Sequence, residues 1–258
     1  MNKPMKTNKR LNKISAIIFW IFIWQILAKI IDKEMLLASP FAVVAALINL
    51  ISKSIFWISL FNSFRKIVVG FLLGVIFGVL LAILSYKSKI FKELVEPIIK
   101  IIKSIPVASF IILALVWISS NNLSILISFL MVIPIIYSNV LQGLYETDRN
   151  LLEMAIVFEV SWFKRVRYIY TPEIIPYFVS AISVGLGFCW KAGIAAEVIG
   201  LPKNSIGEHL YESKIYLMTK ELFAWTIVII IISVIFEKSV IIFLKWLEKR
   251  FYFNKLQV

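Results

Sequence analysis

Apolar residues come along this chain in long runs, separated by short stretches that carry most of the charge. A helix needs about 20 predominantly apolar residues to cross a bilayer. About six runs reach or approach that length: Ile14–Ile31, Ile67–Tyr86, Pro106–Ile118 (extendable backward through Ile101), Leu123–Leu141, Ile174–Trp190 (continuing toward Ile199) and Leu222–Phe243. Between the first two lies the moderately apolar stretch Met35–Leu60, which contains Ser39-Pro40, Asn49, Ser52, Lys53 and Ser54. It reads as a turn and an interfacial helix, with a seventh span as the alternative. The pattern predicts an all-α, polytopic membrane protein with about six transmembrane helices. Its parts are a basic tail at 1–13, a first span with an interfacial segment at 14–63, a core at 64–243 and a second basic tail at 244–258. The first run is longer than a signal-peptide h-region and lacks a small-x-small cleavage site, so it reads as a retained helix.

Composition supports this division. Of the 258 residues, 60% are hydrophobic, against about 45–50% in ordinary soluble domains. The net charge of +13 raises the question of nucleic acid, but such a footprint is a stripe on a soluble domain. Here the cations sit in clusters between apolar runs, which is how topology is encoded in a membrane protein. Lys3, Lys6, Lys9, Arg10 and Lys13 precede the first span. Lys87, Lys89, Lys92, Lys100 and Lys103 follow the second, and Arg149, Lys164, Arg165 and Arg167 follow the fourth. Lys245, Lys249, Arg250 and Lys255 follow the last. The opposite loops hold only Lys33, Lys53, Lys203, Lys214 and Lys220. The bias predicts cytoplasmic N and C termini. Arg65 and Lys66 fall at the outer edge of the second span, where snorkelling would take their charges to the headgroups.

Little in the chain points to catalysis. Cys189 and His209 are each the only residue of their type. They read as a packed thiol and a loop imidazole, with no metal site. No Gly-x-x-x-x-Gly-Lys-Ser/Thr loop is present to cradle phosphates, so energy for active transport must come from another chain. Gly70, Gly74, Gly78 and Ala82 recur every four residues on the second span and give one smooth helix face. That face suits helix packing, within the subunit or across a dimer. Lys191 and Glu197, late in the fifth run, would be costly against lipid. Either they line a translocation path, or the span ends near Trp190 with Lys191 snorkelling and Glu197 in water.

The segment 148–176 is the most informative loop. Leu151, Leu152, Ala155 and Phe158 follow helical spacing, with Glu153 off that face. Ser161 is placed to cap a second short, basic helix, and Pro172 and Pro176 would break it and begin the next span. A loop with an apolar face needs something to pack on, either the membrane surface or another protein.

This loop resembles the EAA motif of bacterial ABC importer permeases: Glu-Ala-Ala, three residues, Gly, then about a dozen residues to Leu-Pro and a further Pro. Glu153 and Ala155 match the first and third positions, with Met154 at the second. Val160-Ser161 follow the position of the Gly, Thr171-Pro172 stand for Leu-Pro, and Pro176 is the last Pro. Leu37-Ala38-Ser39-Pro40, Phe64-Arg65-Lys66-Ile67-Val68-Val69-Gly70-Phe71, Ser104-Ile105-Pro106-Val107-Ala108 and the segment from Trp190 to Gly200 resemble, in order, the branch with nitrate, sulfonate and taurine permeases. The resemblance implies the type I importer permease fold in a bacterial inner membrane. It implies a coupling helix through which Glu153, Ala155, Phe158, Glu159, Ser161 and Pro172 meet an ATPase. It also implies partner ATPase subunits binding ATP and Mg, a second permease copy in a homodimer, and an extracytoplasmic binding protein; no cofactor belongs to this chain. The ligand would be a small anion such as sulfonate, nitrate or taurine, or a vitamin precursor. Glu159 stands where the motif has Gly, so a left-handed joint there would cost about 1–2 kcal/mol, or else the joint is less sharp. The alternative function is a secondary transporter or channel working without an ATPase. A membrane-embedded enzyme would need a constellation of reactive side chains that the chain does not present.

Overall fold

The computed structural model describes residues 9–253, with side chains described from Ser15 to Trp246. The outermost cations of both basic tails, Lys3, Lys6 and Lys255, lie outside the described residues. Among those described, the regular elements are all helices. The chain divides into two compact units, one formed by residues up to Ile58 with His209–Ile229, the other by Ser59–Glu208 with the chain from Ile230 onward.

In the first unit, α1 (Lys9–Ile31) leads through a turn to α2 (Pro40–Ile51). Ser39 caps α2 by accepting a hydrogen bond from the Ala42 amide at 3.3 Å, and Pro40 occupies the first turn, where no N–H is needed. Trp24 donates to the Ala38 carbonyl at 3.1 Å and packs on Phe223, and Thr219 donates to the Met35 carbonyl at 2.6 Å. Thus 35–60 is a turn, a helix and a break at Ser52-Lys53, after which α3 (Ser54–Lys87) begins. His209 belongs to α10 (Ile206–Ile215) and stacks on Trp225, so it is a helix residue and not a loop imidazole.

The second unit holds most of α3, then α4 (Lys89–Ser104), α5 (Val107–Ala114), α6 (Ser120–Tyr145), α7 (Arg149–Val157), α8 (Trp162–Arg165) and α9 (Thr171–Gly200). From Ile230 it also includes part of α11 (Thr219–Phe253). Its core lies where α5, α6 and α9 meet, around Ile111, Ala114, Leu123, Ile127, Ala192 and Ala196. Gly70, Gly74 and Gly78 lie against α6. A Cβ on Gly74 or Gly78 would come within 2.7 Å of the Cβ of Val132 or Ile136. Ser128 donates to the Cys189 carbonyl at 3.2 Å, which ties α6 to α9.

Two of the six expected spans differ: among the described residues the first run is the shorter apolar helix Ser15–Ile31, and another span is bent. The run Pro106–Ile118 does not extend straight back through Ile101, because α4 and α5 meet at 105°. A residue before proline is pushed out of the helical region, and Ile105 is extended at ψ 129. The basic stretch 89–103 is therefore an amphipathic helix and not a loop. By length and composition, α3, α6, Trp162–Gly200 and Thr219–Trp246 are each able to cross a membrane. The bent α4–α5 pair supplies a further span if it is taken as one.

Candidate functional site

The segment 148–176 folds from local rules. Asp148 caps α7 by accepting the Asn150 amide at 2.8 Å. At the far end the Val160 amide donates to the Ala155 carbonyl at 2.8 Å, while Glu159 sits at φ +50. This is the Schellman arrangement, in which a left-handed residue reverses the chain and satisfies orphan carbonyls. Glu159 thus adopts the conformation for which glycine is usually used, and the joint stays sharp. Ser161 has the extended backbone of an N-cap at φ −57, ψ 148, but its hydroxyl makes no capping bond.

Pro172 does not break the helix that follows. Residues from Trp162 to Gly200 run as one helix, with a π-helical turn at Val166–Tyr170 just before the proline. A proline inside a helix lacks a donor and collides with the carbonyl four residues back. The wider turn absorbs this, and the Thr171 hydroxyl donates to the Val166 carbonyl at 2.8 Å. Lys87, at the end of α3, lies 5.2 Å above the Trp162 ring and holds the joint to the span.

The motif residues do not share one surface. Glu153, Phe158, Glu159 and Ser161 are exposed, whereas Ala155 is only 5% exposed and Pro172 is half-buried. Ala155 and Pro172 shape the loop; they do not present it. Phe158 is 72% exposed, and the side chains of Met154, Ile156, Val157, Trp162 and Phe163 on either side of the reversal are likewise uncovered. Helical spacing assigned the apolar face to Leu151, Leu152, Ala155 and Phe158. It passed over these residues because it ranks positions by phase within one helix, and the reversal at Glu159 gathers side chains from two.

The two charges late in α9 have different fates. Lys191 is exposed, its ammonium 5.9 Å from the Phe188 ring. Glu197 is fully buried, so it neither stands in water nor lines an open path. It accepts hydrogen bonds from the Ser63 hydroxyl at 2.6 Å and the Gly207 amide at 3.3 Å, and Ser63 in turn accepts from the Ile206 amide at 2.9 Å. The carboxylate pins the turn after α9 to α3. The helix does not end near Trp190; α9 continues to Gly200. A second carboxylate lies within a long apolar helix: Glu237 of α11, which the hydropathy pattern does not single out, accepts from Ser183 at 3.3 Å. Among the described residues no group of His, Cys, Asp or Glu is placed to hold a metal.

Arg65 is exposed, as snorkelling requires, whereas Lys66 departs from expectation. With Lys203, Asn62, Asn121 and Asn122 they line a cavity of about 450 Å³. Lys66 is only 9% exposed and does not snorkel to a surface.

Comparison with known proteins agrees with this architecture. The family described as binding-protein-dependent transport system inner membrane component matches residues 74–252. The chain is 25% identical, over 89% of its length and 82% of the relative's, to the putative aliphatic sulfonates transport permease protein SsuC of Bacillus subtilis. It is 27% identical, over 55% of its length and 52% of the relative's, to the nitrate import permease protein NrtB of Synechocystis. A crystal structure of an amino acid ABC transporter with histidines is similar in fold, with a TM-score of 0.50 and 19% identity over 74% of this chain and 90% of that one. The helical architecture and the family match over most of the chain make this protein a member of the binding-protein-dependent transport system inner membrane components, a multi-pass inner-membrane permease.

Proposed function

We propose that this permease works as one half of an ATP-driven importer and that the loop 148–176 is its docking element for a separate ATPase. The observation that carries the reading is the exposed apolar cluster at the reversal, Met154, Phe158, Trp162 and Phe163, beside Glu153, Lys164 and Arg167. Exposed apolar side chains rimmed by charge mark protein or membrane interaction sites; the match of this loop to the EAA motif favours a protein, and aromatic residues at the centre of such a contact carry most of the binding energy. Two copies of the chain form the pathway at their twofold axis, both termini are cytoplasmic, and an extracytoplasmic binding protein delivers the ligand. ATP and Mg bind the ATPase pair, whose closure pulls both loops and rocks the helices between inward- and outward-facing states. The cargo is a small anion such as a sulfonate, nitrate or taurine, in line with the sulfonate, nitrate and bicarbonate permeases among the relatives. A vitamin precursor is the neutral-leaning alternative.

Replacing Phe158 by Asp tests the docking. Co-purification of the ATPase with the variant falls at least about tenfold, since loss of one central aromatic costs about 2 kcal/mol or more. Undiminished association with the ATPase contradicts the reading.

A further inference from the structure

The cavity lined by Arg65, Lys66 and Lys203 is unlike its surroundings. Three cations and the amides of Asn62, Asn121 and Asn122 line it, with no carboxylate among the lining residues. Asn121 and Asn122 lie in the first turn of α6, the end of a helix where free amides and the helix dipole favour negative charge. Lys66 is nine-tenths buried, and one oxygen of the buried Glu197 carboxylate is engaged by Ser63 and Gly207. The space of about 450 Å³ is thus positive on several sides and rich in donors. It shares Val69, Asn122 and Ile125 with an adjoining apolar groove of about 800 Å³, along Leu73, Phe77, Leu126 and Phe129.

We infer that this pair of spaces is a binding site for a small organic anion, its oxyanion head among Arg65, Lys66, Lys203 and the asparagine amides and its alkyl tail along Leu73 and Phe77. Guanidinium and amide donors match the oxygens of a sulfonate or carboxylate, and the groove favours a longer alkyl tail because each methylene buried there leaves water. The inference rests on the importer reading for its purpose, giving the permease its own share in choosing the cargo. An anionic lipid has the same chemistry, a charged head and an apolar tail, so the test must separate the two.

Equilibrium binding to the full chain in nanodiscs, without ATPase or nucleotide, does so and leaves the docking claim untouched. The probes are butane-1-sulfonate, methanesulfonate and nitrate, in phosphatidylcholine with or without phosphatidylglycerol. Butane-1-sulfonate binds more tightly than methanesulfonate or nitrate, binding weakens with salt, and phosphatidylglycerol leaves it unchanged. The double substitution Arg65→Gln and Lys203→Gln weakens it at least tenfold, Arg65→Lys much less, and Lys191→Gln not at all. Retained affinity in the double variant overturns the site. Equal binding of methanesulfonate and butane-1-sulfonate overturns the role of the groove. Displacement of the sulfonate by phosphatidylglycerol assigns the site to lipid and overturns its role with cargo.

Discussion

Glu159 pays a conformational cost that glycine would avoid, and it does so at φ +50. A left-handed non-glycine residue costs about 1–2 kcal/mol, yet the chain reverses there with the hydrogen bonding of a helix C-terminus intact. Glu159→Gly should therefore raise the thermal midpoint of the detergent-purified protein, by about 1 kcal/mol of stability; a lowered midpoint would mean the side chain makes a contact worth more than the strain. The motif resemblance pointed to this residue as the anomaly, but one sequence offered two resolutions, strain or a blunter turn, and only backbone geometry chooses between them. Glu197 is a different case. Its carboxylate and Ser63 form one buried unit with the amides of Ile206 and Gly207. Ser63→Ala and Glu197→Ala should then be non-additive, with a coupling of about 0.5–3 kcal/mol in a double-mutant cycle of denaturation. Additive losses would show that the two do not act together.

At the scale of helices, close approach explains where glycine is needed. Gly78 faces Ile136 on α6, whereas nothing lies within 4 Å of a Cβ on Gly187. Gly78→Ala should destabilise the protein by about 1–3 kcal/mol through overpacking, and Gly187→Ala should be near neutral or stabilising because alanine favours a helix by about 1 kcal/mol. Melting of the two purified variants compares them directly, and equal midpoints would contradict the packing described. The four-residue glycine spacing was legible in the sequence; its partner was not, because spacing names a face and not what covers it. The bend of 105° between α4 and α5 was written in Ile105-Pro106, but a hydropathy window averages across a proline and reads one span. The π-helical turn before Pro172 escaped for the opposite reason: proline signals a break, and the helix widened instead. Long apolar runs such as Leu123–Leu141 needed no such correction, since burial and length alone determine α6.

For the whole molecule, the clusters of Lys and Arg between spans predict an orientation that chemical labelling can test. In sealed vesicles of known sidedness, a cysteine at Lys203 in a Cys189→Ala background should react with an impermeant maleimide from the extracytoplasmic face, and one at Phe163 only from the cytoplasmic face. The reverse labelling would invert the topology and remove the loop from reach of ATP. Overall helical character was readable from sequence, as was a two-helix loop at 148–176, while the cation-lined cavity was not. Arg65, Lys203 and Asn121 are far apart in the chain, and only the folded helices bring them to one space. In the importer proposed above, the reversal at Glu159 touches an ATPase. A bifunctional thiol-to-amine cross-linker, attached to a single cysteine at Phe158 in the assembled complex, measures this most directly. A permease–ATPase adduct should form, its yield changing when ATP is added, with none from a cysteine at Lys203. An adduct absent at Phe158, in complexes that still hydrolyse ATP in step with transport, would contradict it.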